Sequence, residues 1–197
     1  RLVSGTVTVP LYMLDEHAPT RMSRDADGNP LANGEVEIEF WANIPRSLET
    51  LPDGPGRLVM NGHGFFDTDE AVSYSWQRGL ADRHQYVMVG ADWQGMSFDD
   101  VGAAAVALSD VSEFAAVTDR LHQGMINFVV LTRTMIGLCA DDPAFQIEGQ
   151  TVYGTDDVYY TGASQGGIFG ATLMGISTDI ERAALNVPGV SYPMMQN

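Results

Sequence analysis

The chain has 197 residues, 45% of them hydrophobic, which is enough for one sizeable core and predicts a single domain over 1–197. Its 26 acidic residues against 10 basic ones, all arginine, give a net charge of −16, which disfavours nucleic acid and anionic membrane surfaces as partners. The single cysteine excludes an internal disulfide, and no uninterrupted apolar stretch reaches the roughly 18 residues typical of a membrane span.

The N-terminal part of the chain predicts β structure. Apolar residues alternate over 3–14, and residues 36–41 alternate apolar with acidic side chains, so we expect an antiparallel pair. The intervening 25–30 stretch resembles the start of a calcium loop, but its twelfth position is Val36 rather than glutamate, so an Asp-Gly turn and no metal site is predicted. Because the chain starts at Arg1, we expect that an upstream segment was removed; a cleaved export signal would fit a secreted or periplasmic protein.

From residue 55 onward the pattern alternates between short apolar strands and helices. Such alternation implies right-handed crossovers and a mainly parallel sheet with helices on both faces. The 52–56 stretch is predicted to be a surface loop, and Cys139 a buried structural thiol near a helix end. The predicted elements are strands at 57–60, 86–90, 158–161 and 183–187 and helices at about 70–83, 112–140 and 166–176.

Residues 162–166 read Gly-Ala-Ser-Gln-Gly, a G-x-S-x-G pentapeptide directly after the apolar run 158–161. This order is typical of a nucleophile elbow, in which a strand delivers a serine to a sharp turn and the glycines leave room for the neighbouring chain. Ser164 is therefore the predicted nucleophile.

Other candidate residues follow the strands at 57–60 and 86–90. Phe65 and Phe66, together with Met96 and Phe98, are candidates to line an apolar substrate pocket. The Asp92-Trp93 pair has two interpretations: Trp93 walls an acyl pocket and Asp92 orients a loop, or Trp93 packs over the sheet edge and Asp92 caps a turn. The carboxylates at 99–100 and 141–142 are predicted to be solvated charges at helix ends.

With these motifs the chain resembles the α/β-hydrolase superfamily, esterases and lipases among them, over nearly all of its length. The resemblance rests on the N-terminal antiparallel strands, the His63-Gly64 pair after the third strand and Ser164 after the fifth. It implies an α/β-hydrolase-type, mainly parallel sheet that is incomplete at the C-terminus, ending after about the sixth family strand. It also implies that the amides of Phe65, or Gly64, and of Gln165 form an oxyanion hole.

The resemblance also implies that His63 shapes the loop instead of acting as the base. From their places after the strands, we expect His63, Gly64, Phe66 and Trp93 to contact the substrate. Neither a metal nor an organic cofactor is implied.

The sequence departs from the family order of serine, acid and histidine. All four histidines lie upstream of Ser164, and a serine without a positioned base is a poor nucleophile. We expect a second polypeptide or C-terminal fragment to supply the acid and the histidine, with residues 192–197 where a lid insertion begins. The alternatives are a reordered triad that uses His84 or His122, and a non-catalytic relative.

The function predicted from the sequence is hydrolysis of a small neutral carboxylic ester through an acyl-enzyme on Ser164, with the chain inactive until the missing part is present. Acidic surroundings disfavour anionic substrates. Peptidases and amidases of the same fold remain an alternative, as does a binding or assembly module on a hydrolase scaffold. Each of these requires a companion segment, because a truncated sheet exposes an apolar edge.

Overall fold

The computed structural model describes residues 1–49 and 54–189. Its strands and helices follow the predicted alternation, with short 3₁₀ turns at several connections. In chain order the elements are β1 (Leu2–Pro10), β2 (Glu35–Asn43), β3 (Gly56–Gly62), α1 (Ser75–His84), β4 (Tyr86–Ala91), α2 (Val101–Ser109), α3 (Phe114–Ile136), β5 (Gln146–Ile147), β6 (Gln150–Thr151), β7 (Tyr153–Ala163), α4 (Gln165–Ile176) and β8 (Ile180–Asn186).

Six strands form one sheet in the order β1-β2-β4-β3-β7-β8, and β5 and β6 form a separate two-stranded ribbon. The pairs β1/β2 and β2/β4 are antiparallel, which confirms the predicted N-terminal pair. The strands β4, β3, β7 and β8 run parallel to one another, so their carboxyl ends meet at one edge. Ligands bind at this edge in open α/β sheets.

Helices cover both faces of the sheet because residues along each central strand alternate between two cores. In β3, Leu58 and Met60 pack into a large cluster with Phe128 of α3 and Leu173 of α4. Val59, between them, belongs to a smaller cluster with Ala81 of α1. This alternation with a period of two residues fixes which face each helix covers.

The 25–30 segment forms the predicted turn. Gly28 has a φ of 85°, and the Asp25 carboxylate accepts the N–H groups of Asp27 and Asn29. Cys139 is half-buried, and burial raises the pKa of its thiol, which keeps it protonated and unreactive. The predicted loop at 52–56 and the end segment 192–197 fall wholly or partly outside the described residues.

Three elements differ from the sequence-based expectation. Helix α2 was not predicted, and β7 extends well beyond 158–161 in both directions. The strand predicted at 183–187 was expected to be buried, which is wrong: β8 is mostly exposed. The reason is that β8 pairs only with β7 among the described strands and so lies at the sheet edge.

Among the described residues one helical stretch, Val111–Asp141, is long and apolar enough by composition to cross a membrane, with a mean hydropathy of 1.2 over an 18-residue window. It is not an uninterrupted apolar run, because Asp119 and Arg120 lie within it. The core helix of a soluble protein passes the same test, and α3 within this stretch buries Phe128, Leu131 and Met135 against the sheet.

Candidate active site

Ser164 lies at the turn between β7 and α4, at the carboxyl edge of the sheet. It is exposed, and its backbone has φ 55° and ψ −118°, a conformation rare for a residue with a side chain. The Ser164 N–H donates to the carbonyl oxygen of Asn186, which ties the turn to the end of β8. A small hydroxyl side chain is thus held on a sharp turn that points away from the core.

The turn requires glycine at several positions because chains approach closely there. A Cβ at Gly162 would lie 2.4 Å from the carbonyl oxygen of Gly166, and a Cβ at Gly166 would lie 2.1 Å from that of Gly62. Neither gap accommodates a carbon atom. The start of α4 therefore rests directly on the end of β3, and the residues after Gly62 begin beside Ser164.

The loop 63–67 continues from β3 past this contact. His63 is buried, Phe65 is exposed, and Phe66 is half-buried with a φ of 53°. Within the described residues, the backbone N–H groups of Phe65 and Gln165 donate no hydrogen bond. Two backbone donors, one on the loop after β3 and one at the start of α4, are therefore unpaired among the described residues.

His63 bridges its own loop and the segment after β4. Its Nδ1–H donates to the carbonyl oxygen of Gly64 at 2.7 Å, and its Nε2 accepts the Trp93 N–H at 2.7 Å. These two bonds require the neutral imidazole. Burial lowers the pKa of His63, which favours that neutral form. The ring is occupied on both nitrogens, and this geometry suits a shaping role better than proton transfer.

The other three histidines lie elsewhere. His84 ends α1 just before β4, at the amino edge of the parallel strands and so at the opposite end of the sheet from Ser164. His122 is on the exposed side of α3, where its Nδ1 pairs with the Thr118 carbonyl. His17 is exposed between β1 and β2. The described residues do not assemble a serine–histidine pair.

Two carboxyl groups lie behind the loop. Asp92 is half-buried and accepts the Asp69 N–H at 2.8 Å, at the first residue of the 3₁₀ turn Asp69–Ser73, which fits the turn-capping interpretation of Asp92. Burial and the charge of Asp92 raise the pKa of Asp69 to about 7. Burial likewise raises the pKa of Asp92. Among the described residues there is no cluster of three or more His, Cys, Asp or Glu side chains that could hold a metal.

Trp93 does not face a pocket in this structure. Its side chain is 0% exposed, and its indole stacks on Phe128 at 3.9 Å between ring centroids. The assignment of Trp93 to substrate contact is therefore corrected to core packing, because the segment after β4 turns inward onto α3. Met96 is also buried, with Phe66 and Phe169 packed against its cluster, whereas Phe98 is exposed.

Sequence reasoning missed the environment of Asp100. This carboxylate was predicted to be a solvated helix-end charge, but it is 1% exposed and pairs with Arg120 Nε at 2.6 Å. Asp99, Asp141 and Asp142 are exposed as predicted. The S-x-x-D spacing of Ser97 and Asp100 is a capping-box pattern and could have placed this carboxylate inside a hydrogen-bonded turn.

Similar solved structures identify the fold. Acetyl xylan esterase 1 from Thermoanaerobacterium superimposes with a TM-score of 0.51 at 16% identity, covering 84% of this chain and 49% of that one. A proposed dienelactone hydrolase from Klebsiella pneumoniae gives a TM-score of 0.51 at 12% identity, with 97% and 62% covered. No family model and no curated protein matches the sequence.

These neighbours share one architecture with this chain. The chain has the α/β-hydrolase fold. It spans between about half and three-fifths of the length of these two structures.

Proposed function

We propose that this chain carries the nucleophile and the oxyanion hole of a serine hydrolase that cleaves small neutral carboxylic esters. The observation that carries the proposal is Ser164 itself: an exposed serine with a strained backbone, at a strand-to-helix turn on the carboxyl edge of an α/β-hydrolase sheet. Strain of this kind persists where the surrounding structure enforces it, and it is concentrated at active sites.

The reaction follows from this placement. Ser164 Oγ gives its proton to a base and bonds to the carbonyl carbon of the ester, and the carbonyl oxygen becomes an oxyanion. The N–H groups of Phe65 and Gln165 stabilise that charge. Collapse of the intermediate breaks the ester C–O bond and releases the alcohol, which takes up the proton. Water then hydrolyses the acyl-enzyme and regenerates the serine.

The base and the acid that orients it would come from sequence outside 1–197, because none of the four histidines is placed to serve Ser164. A second polypeptide or a C-terminal fragment would also cover two surfaces. One is the outer edge of β8, which pairs only with β7 among the described strands. The other is a groove of about 590 Å³ beside α1, lined in part by Leu80, Tyr159 and Ala184.

The substrate class is inferred from charge and from the pocket walls. A net charge of −16 disfavours anionic esters, and Phe65 and Phe66 offer apolar surface beside the proposed oxyanion hole. A peptidase or amidase would use the same groups, so a comparison of matched ester and amide substrates separates these activities.

A fluorophosphonate probe followed by peptide mass spectrometry tests the proposal in the complete protein. We expect one adduct on Ser164, and loss of both the adduct and ester hydrolysis in Ser164→Ala. Ser4→Ala is the control, since Ser4 is an exposed serine on β1 at the far edge of the sheet. Absence of the adduct on Ser164 would refute the proposal and favour a binding or assembly module.

A further inference from the structure

The segment between β4 and α2 is fixed by a buried ion pair. Arg120 of α3 donates from Nε to Asp100 Oδ1 at 2.6 Å, and the two residues are only 4% and 1% exposed. The other oxygen of Asp100 accepts three bonds from the segment: Gly95 N–H at 2.6 Å, Ser97 N–H at 3.1 Å and Ser97 Oγ–H at 2.7 Å. Both oxygens of this carboxylate are therefore in use.

The same segment packs tightly on α3. Gly95 has a φ of 97°, and a Cβ there would lie 2.8 Å from the Val117 carbonyl oxygen. At Gly124 a Cβ would lie 3.1 Å from the backbone nitrogen of Gln94. The backbone is thus held against the helix from one side and by the Asp100 carboxylate from the other.

This segment in turn supports the loop 63–67. The Phe66 N–H donates to the Met96 carbonyl at 3.0 Å, and the Phe98 N–H donates to the Asp67 carbonyl at 3.2 Å. A third bond joins the Trp93 N–H to His63 Nε2 at 2.7 Å. These bonds flank Phe65 on both sides, and its own N–H has no partner in the described part of the chain.

We propose that the Asp100–Arg120 pair is a positioning device that sets the direction of the Phe65 N–H in the oxyanion hole. The inference rests on the proposed function of Ser164. The chain of contacts runs from Arg120 to Asp100, then through Ser97 and Gly95 to Met96, and across to the loop that carries Phe65. Neither Asp100 nor Arg120 touches the substrate. Loss of the pair lets the 95–98 backbone relax and turns the free amide away from the reacting oxygen.

The adjoining residue on α3 provides a matched control. Asp119 is also buried and also accepts a backbone N–H, from Met22 at 3.0 Å, and it pairs with Arg21 at 2.9 Å. These contacts hold the segment between β1 and β2 and make no bond to the 95–98 segment. Asp119→Asn therefore removes a comparable buried charge without disturbing the path to Phe65.

The test compares Asp100→Asn and Asp119→Asn in the complete protein, with a p-nitrophenyl ester and with hydrogen exchange. Removal of one oxyanion donor costs about 10²- to 10³-fold in kcat, so a displaced donor should cost about 10- to 100-fold, with KM changed less than threefold. Exchange of the 63–67 amides should accelerate in Asp100→Asn and not in Asp119→Asn. Ser97→Ala removes one bond to the carboxylate, and we expect a smaller change in the same direction.

The outcomes separate this inference from the proposed function. Labelling of wild-type Ser164 together with equal kcat values for the Asp100 and Asp119 variants would overturn the positioning role and leave the hydrolase intact. A change confined to KM would overturn it as well. If Asp100→Asn does not fold, Ser97→Ala decides: unchanged kcat and unchanged exchange in a folded protein reject the inference. Unlabelled wild-type Ser164 rejects the proposed function itself.

Discussion

Gly166→Ala tests the close approach on which the site geometry depends. The added Cβ would lie 2.1 Å from the carbonyl oxygen of Gly62 and 2.8 Å from that of His63. Favourable carbon–oxygen contacts are longer by about 1 Å or more. Both atoms that it would meet are backbone atoms, so no side chain can rotate away to make room. Either α4 or the end of β3 must move.

The magnitude follows from that displacement. Overpacking of a well-packed interior costs about 1–3 kcal/mol. We expect the upper half of that range, about 2–3 kcal/mol, because the backbone itself must shift. For a domain of this size each kcal/mol corresponds to about 2–4 °C in the unfolding midpoint, so the midpoint should fall by about 4–12 °C.

The matched control is the same substitution nine residues later in the same helix. Gly175 of α4 is exposed, and a Cβ there would meet nothing within 4 Å. Glycine inside a helix is about 0.5–1 kcal/mol less favourable than alanine, so Gly175→Ala should stabilise the protein by up to that amount. The two variants should therefore move in opposite directions.

Urea unfolding followed by circular dichroism measures both variants against wild type. The reasoning fails if Gly166→Ala lies within 0.5 kcal/mol of wild type, or if the two alanine variants are equally stable. Ester hydrolysis supplies a second readout, because a shift of about 1 Å in the loop that follows Gly62 would misplace the proposed oxyanion donors.

Two further substitutions test the electrostatics and the hydrogen bonding around the site. Between the usual pKa of Asp69, 3.8, and its raised value of about 7, the folded state holds a proton that the unfolded chain has released, so stability falls as pH rises. The free energy of unfolding of Asp69→Asn, measured by urea titration, should therefore exceed that of wild type by about 1–2 kcal/mol at pH 8, a figure reduced for solvent screening. Near pH 3.5 this gain should disappear. A difference that is the same at both pH values would contradict the reasoning. Tyr160→Phe removes the buried bond from the hydroxyl to the Gly166 carbonyl at 2.6 Å and should cost about 1–2 kcal/mol by the same method, whereas unchanged stability would show that the bond contributes nothing.

The parts of the fold that were predictable are those governed by local periodicity. Alternation over β1 and β2 follows from one buried face, and the apolar runs of β3 and β4 follow from burial on both faces. The position of Ser164 was predictable because a strand, a G-x-S-x-G turn and a helix follow one another directly in the sequence. Each of these inferences uses neighbours within a few residues.

The errors arise where distant residues decide the outcome. β8 is exposed because no further described strand lies beside it. The apolar residues of β8 carry no information about that neighbour. Helix α2 has an almost wholly apolar sequence, so no periodic polar face marks it. The burial of Asp100 depends on Arg120, which lies nearly two turns into a helix that begins fourteen residues later. Trp93 is buried because its segment turns onto α3.

Two features next to the exposed Ser164 hydroxyl are unfavourable for the stability of the described chain. Ser164 has φ 55° where a glycine would be unstrained, and the Gln165 side chain is 1% exposed with neither amide atom hydrogen-bonded among the described residues. Together they cost on the order of a few kcal/mol, a sizeable part of the usual net stability of a domain. A scaffold that served only for assembly would need neither of them. The strained turn at Ser164 and the unbonded Gln165 side-chain amide therefore support acyl transfer at Ser164 over a purely structural role for this surface.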